Sequence, residues 1–403
     1  MRVFDIIEPG LAMERLFNAM EIAGSGTDIE IIDSLTARGR VIAEDVVSGV
    51  PMPQFRRSTV DGYAIRAQDI GHEFRMIGES SMGQLFNKRI GQDEAVRVHT
   101  GGNVPDGADA VLMLEDSLVE HGTTALRSSI QTLNIGSNII EVGEDVQPGE
   151  RVIDAGTRLR EQEIGGLAAL GRIQVHAYAR PRVAIIASGD EVVAPNESPR
   201  PGQVRDVNTY TVSNLIRANG GLPIHYQILH DESIDFEQTA RQAFAECDMV
   251  IFMAGSSVSE RDLTPDVVAT LGAPGILAHG IAFRPGKPTL FALCDGKPVL
   301  GLPGNPISAL VTAILFAVPV VWRMQHAVNG PPVAAMDAIL AAPVNSPKTL
   351  EHWFAVRLEG NKAIPVLSKS NLIFGLTRAH GMACVPIGTE LLEEGSTVQV
   401  RLF

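Results

Sequence analysis

From Arg182 onward the chain alternates short apolar runs of strand length with stretches whose apolar residues recur at helical spacing. The run 182–187 reads as a strand and ends in the polar turn Ser188-Gly189-Asp190-Glu191. A helix should follow, with Asn208 as its cap, Val212, Leu215 and Ile216 on one face, and Gly220-Gly221 as its stop. Residues 224–229 predict a second strand. The next helix is capped by Ser233 and places Phe236, Ala240, Ala243 and Phe244 on one side. A third strand, 249–253, leads into the polar loop 254–262, and Thr264-Pro265 opens a short helix with Thr264 as cap. Strands are expected at 275–282, 289–293 and 298–302, before a long apolar helix beginning at Pro306. This alternation predicts a doubly wound, mostly parallel α/β domain over 181–327.

The flanks follow a different pattern. Residues 1 to about 180 carry short alternating runs, such as 41–47, 95–99 and 110–114, punctuated by Gly and Pro. They read as one or two loop-rich β domains with helices interspersed. Past the loose Asn329-Gly330-Pro331-Pro332, the tail 328–403 has several short alternating segments and reads as a small all-β domain. The whole chain of 403 residues exceeds a single hydrophobic core, so several domains are expected.

Composition narrows the function classes. With 45% hydrophobic and 20% charged residues, each domain can bury a core. A net charge of -14 and the absence of a Lys/Arg cluster interleaved with aromatics argue against nucleic-acid binding. Cys247, Cys294 and Cys384 lack disulfide or zinc spacing and read as small buried hydrophobes. The start MRVFDIIEPG is not an ordinary signal peptide. The longest apolar run, 307–322, is broken by Ser308, Thr312 and Pro319 and falls short of the ~20 residues of a membrane span. A cytoplasmic protein without membrane attachment is the expectation.

Ligands of an open α/β sheet bind beyond the carboxyl ends of its strands, where helix-start amides face the crevice. Three loops fall there: Ser188 to Glu191, the stretch from Ala254 through Gly255, Ser256 and Ser257 to Asp262, and Gly301-Leu302-Pro303-Gly304-Asn305-Pro306. Small residues such as Gly255, Ser256 and Ser257 let backbone amides and hydroxyls approach a phosphate. Arg284 and Lys287, in a turn stiffened by Pro285 and Pro288, offer two cations to anionic groups. The carboxylates Asp190, Glu191 and Asp262 suit Mg²⁺, a hard cation that bridges carboxylates to phosphates. Cations and carboxylates on one rim read as a phosphate and metal site. The common dinucleotide, Walker and hydrolase-elbow motifs are missing from the sequence, and His99, His279 and the other histidines lack metal spacing.

Longer stretches add to this reading. Residues 57–64 (RSTVDGYA), 100–111 (TGGNVPDGADAV), 143–146 (GEDV), 181–192 (PRVAIIASGDEV), 284–288 (RPGKP) and 301–306 (GLPGNP) resemble, in order, the molybdopterin molybdenumtransferase family, known as MoeA in bacteria and as the E domain of gephyrin in animals. The resemblance implies four parts: an N-terminal domain of 1–50 completed by 142–180, a β-rich domain inserted at 51–141, the α/β molybdopterin-binding domain at 181–327, and a C-terminal, barrel-like β domain at 328–403. It also implies a homodimer whose active site pairs the α/β crevice of one subunit with the first two domains of the other.

The implied chemistry is transfer of molybdate to adenylylated molybdopterin with Mg²⁺-dependent release of AMP. Such a protein would work alongside a molybdopterin adenylyltransferase and other cofactor-synthesis proteins. By correspondence, Asp61, Thr100 and Asp145 come from the partner subunit. Glu191, Asp262, Arg284, Lys287, Pro303 and Pro306 lie in the crevice, with Ser188, Gly189, Asp190, Gly304 and Asn305 beside them; Glu191 and Asp262 are the metal ligands. Arg284 with Lys287 would supply the positive pocket that molybdate needs. The sequence departs from the family pattern at Ala254 and Ser259, which replace glycines, at Gly280, where a lysine is common, and at Val356 or Arg357, where an arginine is expected. A non-catalytic molybdopterin-binding scaffold or chaperone of the same fold is the alternative.

Overall fold

The computed structural model describes residues 6–119, 125–229, 234–254, 263–366 and 368–403. They form two compact units, residues 45–154 and residues 1–44 with 155–403.

In the larger unit the alternating apolar runs become a six-stranded sheet, in the order Leu222–His225, Arg182–Ala187, Met249–Ala254, Lys297–Pro303, Leu290–Cys294, Pro274–His279. The first four strands are parallel; Leu290–Cys294 runs antiparallel, pairing with Lys297–Pro303 as a hairpin on one side and with Pro274–His279 on the other. Apolar residues cover both faces, as buried parallel strands require. One face, with Val183, Ile185, Ile251, Leu300 and Leu302, packs on the helices Asn208–Ala218 and Pro306–Met324. The other, with Ala184, Ile186, Val250 and Phe252, packs on Phe236, Ala240 and Ala243 of the helix Ile234–Glu246. Ser233, the expected cap of that helix, lies outside the described residues. Helix Pro9–Ala23, far away in sequence, buries Ala12, Leu16 and Met20 in the first of these clusters.

Two expected caps are corrected. Asn208 begins its helix instead of capping it: the Thr209 N–H donates to Asp206 Oδ1 at 3.0 Å, and Asn208 Nδ2 donates to Gly304 O at 2.7 Å. The short helix Thr264–Val268 includes Thr264 as its first residue and is preceded by Leu263. The apolar run 307–322 lies within the helix Pro306–Met324, whose 19 residues are long and apolar enough by length and composition to cross a membrane but are mostly buried within the fold, as a core helix is. It absorbs Pro319 just after a π-helical stretch, Ala313–Ala317, whose wider turns relax the ladder that proline interrupts.

The tail closes into a five-stranded barrel. Strands Glu351–Glu359, Lys362–Pro365, Ala335–Leu340, Thr397–Leu402 and Gly381–Val385 pair in turn, and the last pairs with the first. A two-residue strand, Phe283–Arg284, joins the barrel edge and sets Arg284 opposite His352.

The smaller unit holds a six-stranded sheet in the order Ala110–Met113, Gly62–Ile65, Glu94–Val98, Glu73–Ser80, Ala125–Ser128, Ser117–Val119. Its faces bury Ala64, Val96, Val98 and Val111 on one side and Tyr63, Ile65, Ala95 and Leu112 on the other.

Candidate functional site

The carboxyl ends of the parallel strands open into a cavity of about 1440 Å³. Ser188 and Glu191 reach it from the end of Arg182–Ala187, and Pro303, Gly304, Asn305 and Pro306 from the end of Lys297–Pro303. Arg284 and Lys287 reach it from the turn beside the barrel. That turn is held by the Ile281 N–H donating to Lys287 O at 2.8 Å and the Thr289 N–H donating to Gly286 O at 3.1 Å. Gly286 adopts φ +129°, and a Cβ there would strike Thr312 Cγ2, so only glycine lets the backbone of this turn pack against the helix. Gly189 and Asp190 share the first turn but do not line the wall, and the Gly189 N–H is taken by Leu229 O at 3.0 Å. Asp262, Gly255, Ser256 and Ser257 lie outside the described residues.

Two walls of this cavity were not foreseen. The segment 204–208 adds Arg205, Asp206 and Asn208, while the barrel adds Asn345, His352, Trp353 and the loop Ser368-Lys369-Ser370-Asn371. Among the described residues the lining therefore carries four cations, Arg205, Arg284, Lys287 and Lys369, against the carboxylates Glu191 and Asp206. Asp206 is engaged in capping its helix. The result is a positive crevice in a chain of net charge -14.

The barrel also changes the role expected of a helix start. Ile307 N–H, at the beginning of Pro306–Met324, donates to Ser370 O at 2.9 Å and is not free for a ligand. His352 is pushed down to about 4 by burial and then by Arg284, so it faces the crevice as a neutral ring. Val356 is fully buried in the barrel core and Arg357 ion-pairs with Glu359, so neither supplies a cation to this crevice.

In the smaller unit, Asp61 and Thr100 meet. The Thr100 N–H donates to Asp61 Oδ1 at 3.1 Å, and this bond, followed by His99, holds the Asp61 carboxyl below its ordinary range. The turn is anchored by the Gly101 N–H to Ser58 O at 2.7 Å and the Ser58 N–H to Gly102 O at 3.0 Å. Gly62, just after Asp61, allows the Leu112 carbonyl to approach where any Cβ would collide. Asp145 stands elsewhere. The strand Ile139–Ile140 pairs antiparallel with Arg57–Ser58, and Asp145 continues to the opposite end of that ladder, where its N–H donates to Met52 O at 3.0 Å.

Histidine spacing in the sequence concealed one further cluster. Among the described residues, Asp69, His72 and Asp93 bring ligand-type atoms within 4.8 Å of one another. His72 Nδ1 pairs with Asp93 Oδ1 at 2.7 Å, and the Arg66 guanidinium lies 3.5 Å from Asp69, so these groups already satisfy one another.

A cation-walled crevice at the carboxyl ends of a doubly wound sheet defines a domain that binds an anionic ligand, and residues 184–323 match a family described as a probable molybdopterin binding domain. Residues 8–171 match the MoeA N-terminal region (domain I and II), and residues 337–403 the MoeA C-terminal region (domain IV). The molybdopterin molybdenumtransferase of Nostoc sp. (strain PCC 7120) is 31% identical over 402 residues, covering 96% of this chain and 91% of that protein. The molybdopterin molybdenumtransferase of Bacillus subtilis (strain 168) is 31% identical over 382 residues, covering 90% and 87%. The crystal structure of the molybdopterin biosynthesis moeA protein from Pyrococcus horikoshii OT3 matches with a TM-score of 0.84 at 27% identity, over 99% of this chain and all of that one. The chain belongs to the molybdopterin molybdenumtransferase family.

Proposed function

We propose that this protein is a cytoplasmic enzyme of molybdenum cofactor biosynthesis that transfers molybdate to adenylylated molybdopterin and releases AMP. The carrying observation is the crevice with its four cationic side chains, in a chain matching molybdopterin molybdenumtransferases almost end to end. Arg284, Lys287, Arg205 and Lys369 offset the charge of phosphate and molybdate and the charge that develops on departing AMP. Neutral His352 adds polarity without charge. Pro303 to Pro306 and Ser188 shape the wall against which the ligand rests.

On the Glu191 side the polar side-chain donors are oxygens, the carboxylate itself and the Ser188 hydroxyl, a hard set that fits Mg²⁺. We assign the metal to Glu191 with Asp262; when bound, it neutralises phosphate oxygens.

We further propose a homodimer in which Asp61, Thr100 and Asp145 act at the partner's crevice. The four-domain division drawn from the sequence belongs to the same reading, as does supply of substrate by a molybdopterin adenylyltransferase. Support for self-association comes from apolar side chains left open on one strand and its surroundings: Ile29, Ile31, Leu35 and Ile173 are 56%, 62%, 81% and 73% exposed.

The test is direct. Purified protein supplied with adenylylated molybdopterin, molybdate and Mg²⁺ should release AMP. Tight ligand binding with no AMP release would replace the enzyme with a non-catalytic scaffold.

A further inference from the structure

The geometry points to His99 as a positioning residue for Asp61, itself held in place by Glu79. This rests on the reading that Asp61 takes part in the transfer reaction.

Register and side-chain reach create the arrangement. Gly62 pairs antiparallel with Val98, which sets Asp61 across from His99; Glu79 pairs in parallel with Arg97, two residues before His99 and on the same face of the sheet, and reaches the ring as His99 leaves the strand Glu94–Val98. His99 Nε2 lies 2.8 Å from Glu79 Oε1, and its Nδ1 lies 3.3 Å from Asp61 Oδ1. The Thr100 N–H also lands on Oδ1 at 3.1 Å, so the ring and the backbone converge on one carboxylate oxygen.

An exposed carboxylate without such contacts samples several rotamers, and fixing it beforehand lowers the cost of meeting a substrate. With its side chain 57% exposed, Asp61 has little packing to fix it. The hydrogen-bonded frame does that work instead.

Protonation decides whether the frame is whole. Only the imidazolium has two N–H groups and can donate to both carboxylates at once; the neutral ring can donate to one. Glu79 and then Asp61 raise the His99 midpoint above its ordinary value, against the effect of burial, and these two are the charged groups acting on the ring from the strands beside it. Below the raised midpoint both bonds stand. As pH rises through it, a single N–H remains, and the shorter contact to Glu79 is the one retained, so Asp61 is released first.

Two measurements on the full-length protein test this. In a histidine NMR titration, Asp61→Asn and Glu79→Gln should each lower the His99 midpoint, by about half a unit to one unit. An unchanged midpoint in both overturns the proposal. In the AMP-release assay, Glu79→Gln should move the alkaline decline to lower pH. His99→Gln, which retains a neutral donor, should remove that decline and reduce kcat about three- to tenfold with little change in KM. Full kcat with an unaltered profile in His99→Gln also overturns it. If wild-type protein releases no AMP, the proposed activity fails, and the NMR titration still decides whether His99 is coupled to Asp61.

Discussion

Gly286 shows how far one residue can control the crevice. Its φ of +129° belongs to a region that only glycine enters cheaply, and the space beside it is filled by Thr312. Gly286→Ala should cost about 1–3 kcal/mol of stability in urea unfolding and weaken anion binding, because the Arg284 and Lys287 turn must shift. The cations can be tested directly. Arg284→Glu with Lys287→Glu should reduce molybdate affinity by about tenfold or more in equilibrium binding, since like charge opposes the dianion; unchanged affinity would move the oxyanion site elsewhere. The three thiols need no special chemistry. Burial pushes Cys294 up to about 11 and Cys384 up to about 12, and raises Cys247, so each stays protonated and unreactive at neutral pH.

Among the elements, helix Pro306–Met324 links the crevice to the core. Its first turn borders the ligand wall and is fastened to the barrel loop through Ile307 and Ser370. Further along, the Phe316 ring meets Phe283 and Phe291 edge-on, with centroids 5.2 and 5.3 Å away. Phe316→Ala should cost about 3–5 kcal/mol, read from the urea midpoint. Because Phe283 directly precedes Arg284, the same variant should also weaken oxyanion binding. The sequence marked this helix and its first residue, although Ser308, Thr312 and Pro319 interrupt its apolar run. Ser308 and Thr312 are buried, and the Thr312 hydroxyl donates to Ser308 O at 2.7 Å within the helix, so neither breaks it.

At the scale of the whole molecule, the dimer reading makes two separate predictions. Ile31→Glu places a charge among the exposed apolar side chains of the strand Ile29–Asp33 and should shift the protein toward monomer in sedimentation, with AMP release falling in parallel. Co-refolding Asp61→Asn with Lys287→Glu should recover a fraction of the activity that each variant lacks alone, because some heterodimers then carry one site with both contributors intact. No recovery, with heterodimers present, would place Asp61 and Lys287 in the same subunit's site.

Periodicity in the sequence was enough to mark the strands and helices of 181–327, because a strand buried on two faces and a helix buried on one leave different local patterns. The loops at Ser188 and Pro303 could be found in the same way, since strand ends in such a sheet point to its crevice; Arg284 and Lys287 were legible only as two cations in a turn stiffened by prolines. Other features depended on residues distant in sequence. Helix Pro9–Ala23 joins the sheet core, the barrel brings Lys369 and His352 to the crevice, and three strands place Glu79, His99 and Asp61 in line. Local pattern records how one segment meets water and its neighbours in the chain; it does not record which distant segment shares its hydrogen bonds or its cavity, and only the folded backbone decides that.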